Sequence, residues 1–146
     1  MHPQARYLLY GHTNEIMGDK KLFVMIDDDT DDHEIFSMAL SELVKPLKCL
    51  FFKDCESAVA YFSQQSASAP GYVFIDLNLP RIPGDECLVH LQKLQEFDSP
   101  RIIIYSGPVP EEWRERFKQI GVDQFIEKTG SISELVGELK QLTALD

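Results

Sequence analysis

From Leu22 onward, short apolar runs alternate with longer stretches whose apolar positions recur at helical spacing. Leu22-Phe23-Val24-Met25-Ile26 reads as a strand that reaches Asp27. From about Asp31 to Val44, the residues Ile35, Phe36, Ala39, Leu40, Leu43 and Val44 form one apolar stripe. That stripe predicts a helix, closed by Pro46. Leu47 to Phe52 is a second strand, and Cys55 to about Gln64 a helix that offers Ala58, Val59, Tyr61 and Phe62 for burial. Ser66 to Gly71 is small and polar, a loop. Tyr72 to Asp76 makes a third strand, whose unbroken apolar character suits a strand covered on both faces. Pro80, Pro83 and Gly84 mark the loop after it, and a helix continues to about Gln95. Arg101 to Tyr105 is the fourth strand, and Pro110 suits the first turn of a helix from Glu111 to Ile120. Gly121 caps that helix before a fifth strand, Asp123 to Glu127. Ser131 to about Leu142 closes the pattern as an amphipathic helix, with Ser131 and Glu134 spaced as a capping box.

Strands and helices in regular alternation predict an α/β fold built on a parallel sheet. Right-handed crossovers leave few topologies, and for five strands the flavodoxin-like order 2-1-3-4-5, with helices on both faces, is the economical one. Ligands in such sheets bind beyond the carboxyl ends of the strands. Here those ends carry Asp27-Asp28-Asp29, Asp76, Ser106 and, two residues past Phe125-Ile126, Lys128. The expected order makes the first and third strands neighbours, so Asp27, Asp28 and Asp76 meet.

Three carboxylates in one place repel and raise one another's pKa unless a cation sits among them. Oxygen ligands at that density select a hard ion, and Mg2+ is the usual one. Beside such an ion Asp76 can attack phosphorus and form an aspartyl phosphate. Ser106 would donate a hydrogen bond to the phosphoryl group and Lys128 would pair with one of its oxygens. Asp29, Asp31 and Asp32 read instead as an acidic turn that caps the first helix, where negative side chains suit the amino end.

The 146 residues suffice for one domain, assigned to 21–146. Residues 1–20 are polar and aperiodic and read as a flexible tail whose one apolar knot is Tyr7-Leu8-Leu9-Tyr10. Met17, just ahead of the first strand, is an alternative translation start. A formal net charge of −10 opposes nonspecific attraction to nucleic acid or anionic lipid. The three cysteines, Cys49, Cys55 and Cys87, form no CxxC pair and read as reduced thiols in a cytoplasmic protein. No apolar stretch approaches the ~20 residues needed to span a bilayer, and no secretory signal opens the chain.

The segments FVMIDDDTDD, FIDLNLPRIPG, IIIYSG and FIEKTG, in that order, resemble the receiver domain of two-component response regulators, over about Leu22 to Leu142. The resemblance implies that Asp76 is the phosphoacceptor. Asp28 would then be a direct Mg2+ ligand, Asp27 an acidic partner acting mainly through water, and Asn78 a ligand through its backbone carbonyl. Ser106 matches the switch hydroxyl, Phe125 the switch aromatic and Lys128 the lysine of the family motif. A histidine kinase or histidine phosphotransfer protein would supply the phosphoryl group, with no enzymatic activity beyond self-catalysed acceptance and hydrolysis. Ser106 would then move towards the phosphoryl group and Phe125 turn inward. The surface around Glu111, Trp113, Arg114 and Phe117 would change its affinity for a downstream protein partner.

The chain departs from the family at two places. Thr129 follows Lys128 where the family usually has proline, often after a cis bond. That bond would cost ~3 kcal/mol before a non-proline residue, so the loop takes another path. Pro83 stands before Gly84 where many members carry aspartate. With no output domain after the receiver, the chain is expected to act alone, as monomer or phosphorylation-dependent dimer, through protein contacts. Neither nucleic acid nor membrane is an expected partner. Two other readings use the same residues: a receiver-like binding module that is not phosphorylated, and a haloacid-dehalogenase-type phosphatase built on Asp27 and Asp29. The phosphatase lacks a further acidic motif after the lysine. A calcium EF-hand loop from Asp27 fails, since Asp32 and Met38 fall where glycine and glutamate are needed. His33 and His90 read as exposed or core-edge histidines.

Overall fold

The computed structural model describes residues 6–10, 21–44 and 47–144. From β2 (Lys21–Ile26) the chain alternates through α1 (Thr30–Leu40), β3 (Leu47–Phe52), α2 (Cys55–Phe62), β4 (Tyr72–Ile75) and α3 (Gly84–Gln92). It continues through β5 (Arg101–Ser106), α4 (Glu111–Gln119), β6 (Gln124–Glu127) and α5 (Ile132–Ala144). These five strands are parallel in the order β3-β2-β4-β5-β6, which is the expected 2-1-3-4-5. Ahead of them, β1 (Arg6–Tyr10) pairs antiparallel with β3 and adds a sixth strand at that edge.

Side chains on a strand alternate between faces, and β2 divides accordingly. Phe23 and Met25 join a core layer with Phe36 and Leu40 of α1 and Leu135 and Leu139 of α5. Leu22, Val24 and Ile26 face the opposite layer, with Ala58 and Phe62 of α2, Leu88 and Leu91 of α3 and Phe117 of α4. The first layer is largely aromatic. Phe23 stacks on Tyr72 at 4.8 Å between centroids, and Phe36 meets Phe74 edge-on at 4.8 Å. Each such ring, wholly buried, contributes about 3–5 kcal/mol against truncation to alanine.

The register fixes what stands at the crevice. Ile26 lies beside Ile75, so the next residues, Asp27 and Asp76, emerge side by side. Their amides extend the ladder, Asp27 N–H donating to Phe52 O at 2.9 Å and Asp76 N–H to Ile26 O at 3.0 Å. Ser106 is paired with Glu127, which sets Lys128 just beyond.

Three expectations need correction. Residues Arg6–Tyr10 of the expected tail form a strand, because the otherwise unpaired edge of β3 offers them a hydrogen-bonding partner; Met17 lies outside the described residues. The first helix ends at Leu40 and not near Val44. Ser41 caps it there, its N–H donating to Ser37 O and Ala39 O and its Oγ to Met38 O, and Val44 is 93% exposed. Pro46, expected to close the helix, lies outside the described residues. Finally, Cys55 and Cys87 are joined in a disulfide, leaving Cys49 as a buried free thiol. Their 32-residue separation hides a meeting that the crossover creates, with the start of α2 against α3.

Candidate functional site

The carboxyl ends of β2, β4, β5 and β6 converge as the spacing predicts. Asp27 and Asp76 are almost wholly buried, at 1% and 6% exposure, whereas Asp28 is exposed. One carboxylate oxygen from each of Asp27, Asp28 and Asp76 can lie within 4.8 Å of the others. Asp76 is held at both oxygens: Oδ1 accepts from the Asn78 backbone N–H at 3.0 Å and Oδ2 from Lys128 Nζ at 2.9 Å.

Lys128 is the hub of this arrangement. Beyond Asp76, its ammonium donates to Asp32 Oδ2 at 2.8 Å and lies 2.7 Å from Asp27 Oδ2. Burial works against the lysine's charge, yet its bonds to Asp27, Asp32 and Asp76 prevail and hold its pKa above the ordinary range. The Thr129 departure does not keep Lys128 from the site. Its N–H donates to Ser106 O at 2.7 Å, Gly130 turns the chain with φ 81°, and every peptide bond among the described residues is trans. Ser131 Oγ then accepts from the Glu134 N–H at 3.2 Å, one half of the expected capping box.

The donor set suits a hard divalent cation. Burial pushes the Asp27 carboxyl up to about 7, against the lowering effects of Lys128 and of the Asp29 amide. Asp27 Oδ2 is buried, and the Lys128 ammonium 2.7 Å away is its near partner. Three carboxylates crowded within reach of one point, two of them buried, are the chemistry that a hard divalent cation such as Mg2+ or Mn2+ answers.

Ser106 Oγ donates to Gly107 O at 3.0 Å, so its hydroxyl is not bonded to Asp76. Phe125 is half-buried; its ring lies 6.3 Å from Phe117 and 5.0 Å from the Arg114 guanidinium carbon. Arg114 Nε also donates to Val109 O at 3.0 Å, which ties α4 to the loop after Ser106. Trp113 is 42% exposed and sits under the Arg116 guanidinium. Of the histidines, His90 is exposed, but His33 is buried, its Nε2 2.6 Å from Asp27 O.

Reading the acidic turn as a cap holds for Asp29, whose Oδ1 accepts from the Asp31 N–H at 2.9 Å. It fails for Asp32, which turns into the site. Spacing alone carried no signal for it, because Asp28 precedes the helix and an acidic residue in a first helical turn suits a cap equally well. Arg81 was also missed. With φ 67° it lies in the loop after Asp76 and pairs with Asp54 at 3.1 Å and Glu56 at 2.7 Å, tying that loop to α2.

Comparison with known proteins agrees with this fold. The sequence model of the family described as "Response regulator receiver domain" matches residues 24–140. A hybrid signal transduction histidine kinase D of Dictyostelium discoideum is 23% identical over 133 residues, covering 91% of this chain and 8% of that protein. The chain thus spans a small part of that relative. Among solved structures, the phosphorylated cyanobacterial phytochrome response regulator RcpA superposes with TM-score 0.73 at 24% identity, covering 84% of this chain and 91% of that one. The Mn(2+)-bound form of response regulator Rcp1 gives TM-score 0.71 at 17% identity, over 84% and 91% of the two chains. A CheY-like receiver from Methanospirillum hungatei JF-1 gives 0.64 at 19%, over 83% and 91%.

Proposed function

This chain belongs to the response regulator receiver family of two-component systems, and from that premise we propose that Asp76 accepts a phosphoryl group. The observation that carries the reading is the convergence of Asp27, Asp28 and Lys128 on the Asp76 carboxylate. In the proposed reaction an Asp76 oxygen forms a bond to phosphorus. The bond from phosphorus to the donor's imidazole nitrogen breaks, and the imidazole leaves with its electron pair. Lys128 moves from the carboxylate to a phosphoryl oxygen, and Ser106 turns its hydroxyl from Gly107 O to another. Asp27, Asp28, Asp76 and the Asn78 carbonyl would hold Mg2+, which when bound neutralises charge on the attacking and transferred groups.

The donor in this proposal is a histidine kinase or a histidine phosphotransfer protein. The receiver occupies residues 21–146, with residues 1–20 as an extension. Phosphorylation draws Ser106 inward, Phe125 follows, and the face bearing Trp113 and Arg114 changes its affinity for a downstream protein. Output by protein contact fits the net charge of −10. Among the described residues, no helix is long and apolar enough to cross a membrane. The chain is a switch in this account, with no activity on other substrates.

Incubation with acetyl phosphate, with and without magnesium, followed by intact mass of wild type and Asp76→Ala, tests the reading. A phosphate-sized adduct that needs both magnesium and Asp76 is expected. No adduct on the wild type would leave a binding module that is not phosphorylated, and sustained release of phosphate from a small ester would favour the phosphatase.

A further inference from the structure

We propose that Asp32 is a positioning residue that keeps Lys128 in the site while the lysine's other two partners change state. The proposal rests on the phosphoacceptor reading and concerns a residue that reading leaves without a task.

An ammonium has three N–H bonds, and Lys128 Nζ faces three carboxylate oxygens: Asp27 at 2.7 Å, Asp32 at 2.8 Å and Asp76 at 2.9 Å. Two of these partners have other claims on them. Asp27 and Asp76 both belong to the cluster whose oxygens can share a cation, and Asp76 is the residue that takes the phosphoryl group. A cation drawn between Asp27 and Asp76 competes with Lys128 for both. Phosphorylation converts the Asp76 carboxylate to an acyl phosphate, a mixed anhydride, and removes the carboxylate's own charge. Asp32 lies outside that cluster and takes no part in either change.

The place is fixed by the fold. Asp32 stands in the first turn of α1, which is anchored by Asp29 accepting from the Asp31 N–H. Its side chain is 17% exposed, and its bond to Lys128 spans 96 residues, from the first helix to the loop after β6. That loop has no proline after the lysine to stiffen it: Thr129 follows, and then Gly130 at φ 81°. Asp32 thus adds a hold on the ammonium itself to the backbone bond that ties Lys128 N–H to Ser106 O. A lysine held at one N–H can swing the others from carboxylate to phosphoryl oxygen without leaving the pocket.

The test uses the full chain as wild type, Asp32→Ala and Asp32→Asn, labelled with 15N-lysine. Lys128 is identified by the resonance that vanishes in Lys128→Arg. Asparagine keeps an acceptor oxygen and should act as a partial rescue. The inference predicts that exchange of the Lys128 ammonium protons with water speeds up about tenfold in the alanine variant and much less in the asparagine variant. The initial rate of phosphorylation by acetyl phosphate in magnesium chloride should fall in the same order, also about tenfold for alanine. Phosphorylation of Asp32→Ala at the wild-type rate would overturn the inference. So would a slowed rate with an unchanged ammonium resonance, because Asp32 would then act by some other route. If the wild type takes up no phosphate, the phosphoacceptor reading fails. The resonance, which needs no phosphodonor, would still decide whether Asp32 holds Lys128.

Discussion

At the scale of single residues, the site is a contest between burial and charge. Asp27 pairs with Lys128 and still titrates near 7, because its burial outweighs the lysine. Its folded pKa lies above the ordinary 3.8, so the folded protein holds an extra proton between those values. Stability of the metal-free protein therefore falls as pH rises from about 4 through about 7. Thermal melts at pH 8 should show Asp27→Asn more stable than wild type without metal, and less stabilised by added Mg2+. A variant destabilised at pH 8 would contradict this. For Lys128→Ala, phosphorylation by acetyl phosphate should slow about a hundredfold or more, the usual effect of removing a donor aimed at developing charge; a fall of less than about threefold in initial rates would count against the role given to Lys128. Asp27, Asp28, Asp76, Ser106 and Lys128 were legible because each stands within two residues of the end of an apolar run, and strand ends in such a sheet share one crevice. Asp32 was not, since acidic residues in a first helical turn suit a cap equally well, and only coordinates show that Asp29 caps and Asp32 does not.

Elements were legible where the apolar period was long and obscure where a partner decided the outcome. The five parallel strands and their order follow from runs such as Tyr72–Ile75, buried at every position. β1 did not, because Arg6–Tyr10 has no period of its own and depends on the open edge of β3. Deleting residues 1–10 should therefore expose amides of β3 to hydrogen exchange while those of β4 keep their protection. Unchanged protection along β3 would show that β1 does not cover that edge. Helix α3 approaches Asp76 closely at Gly84, where an added Cβ would strike Asp76 O and the Ile75 side chain. Gly84→Ala should cost about 1–3 kcal/mol in denaturant unfolding, and wild-type stability would refute the contact. The Cys55–Cys87 link between α2 and α3 was illegible because spacing in sequence says nothing of facing helices. Thiol counts in denaturant should give one reactive cysteine before reduction and three after.

For the whole molecule, the sheet acts as a frame that brings residues far apart in sequence to one edge, and the helices act as two covers. The functional face is then the one end where strand termini, the α1 turn and the loop after β6 meet. Arg114 of α4 bonds Val109 O in the loop after Ser106 and lies over the Phe125 ring, on the same helix as the exposed Trp113. The net charge of −10 disfavours nonspecific attraction to nucleic acid. Everything in this account depends on Asp76 forming a bond to phosphorus. Phosphorylation with acetyl phosphate and magnesium, trapping of the acyl phosphate with borohydride, and peptide sequencing by mass spectrometry locates that bond. The account predicts reduction to homoserine at position 76 and at no other acidic residue. A label at Asp27, Asp28 or Asp32, or none anywhere, would contradict it.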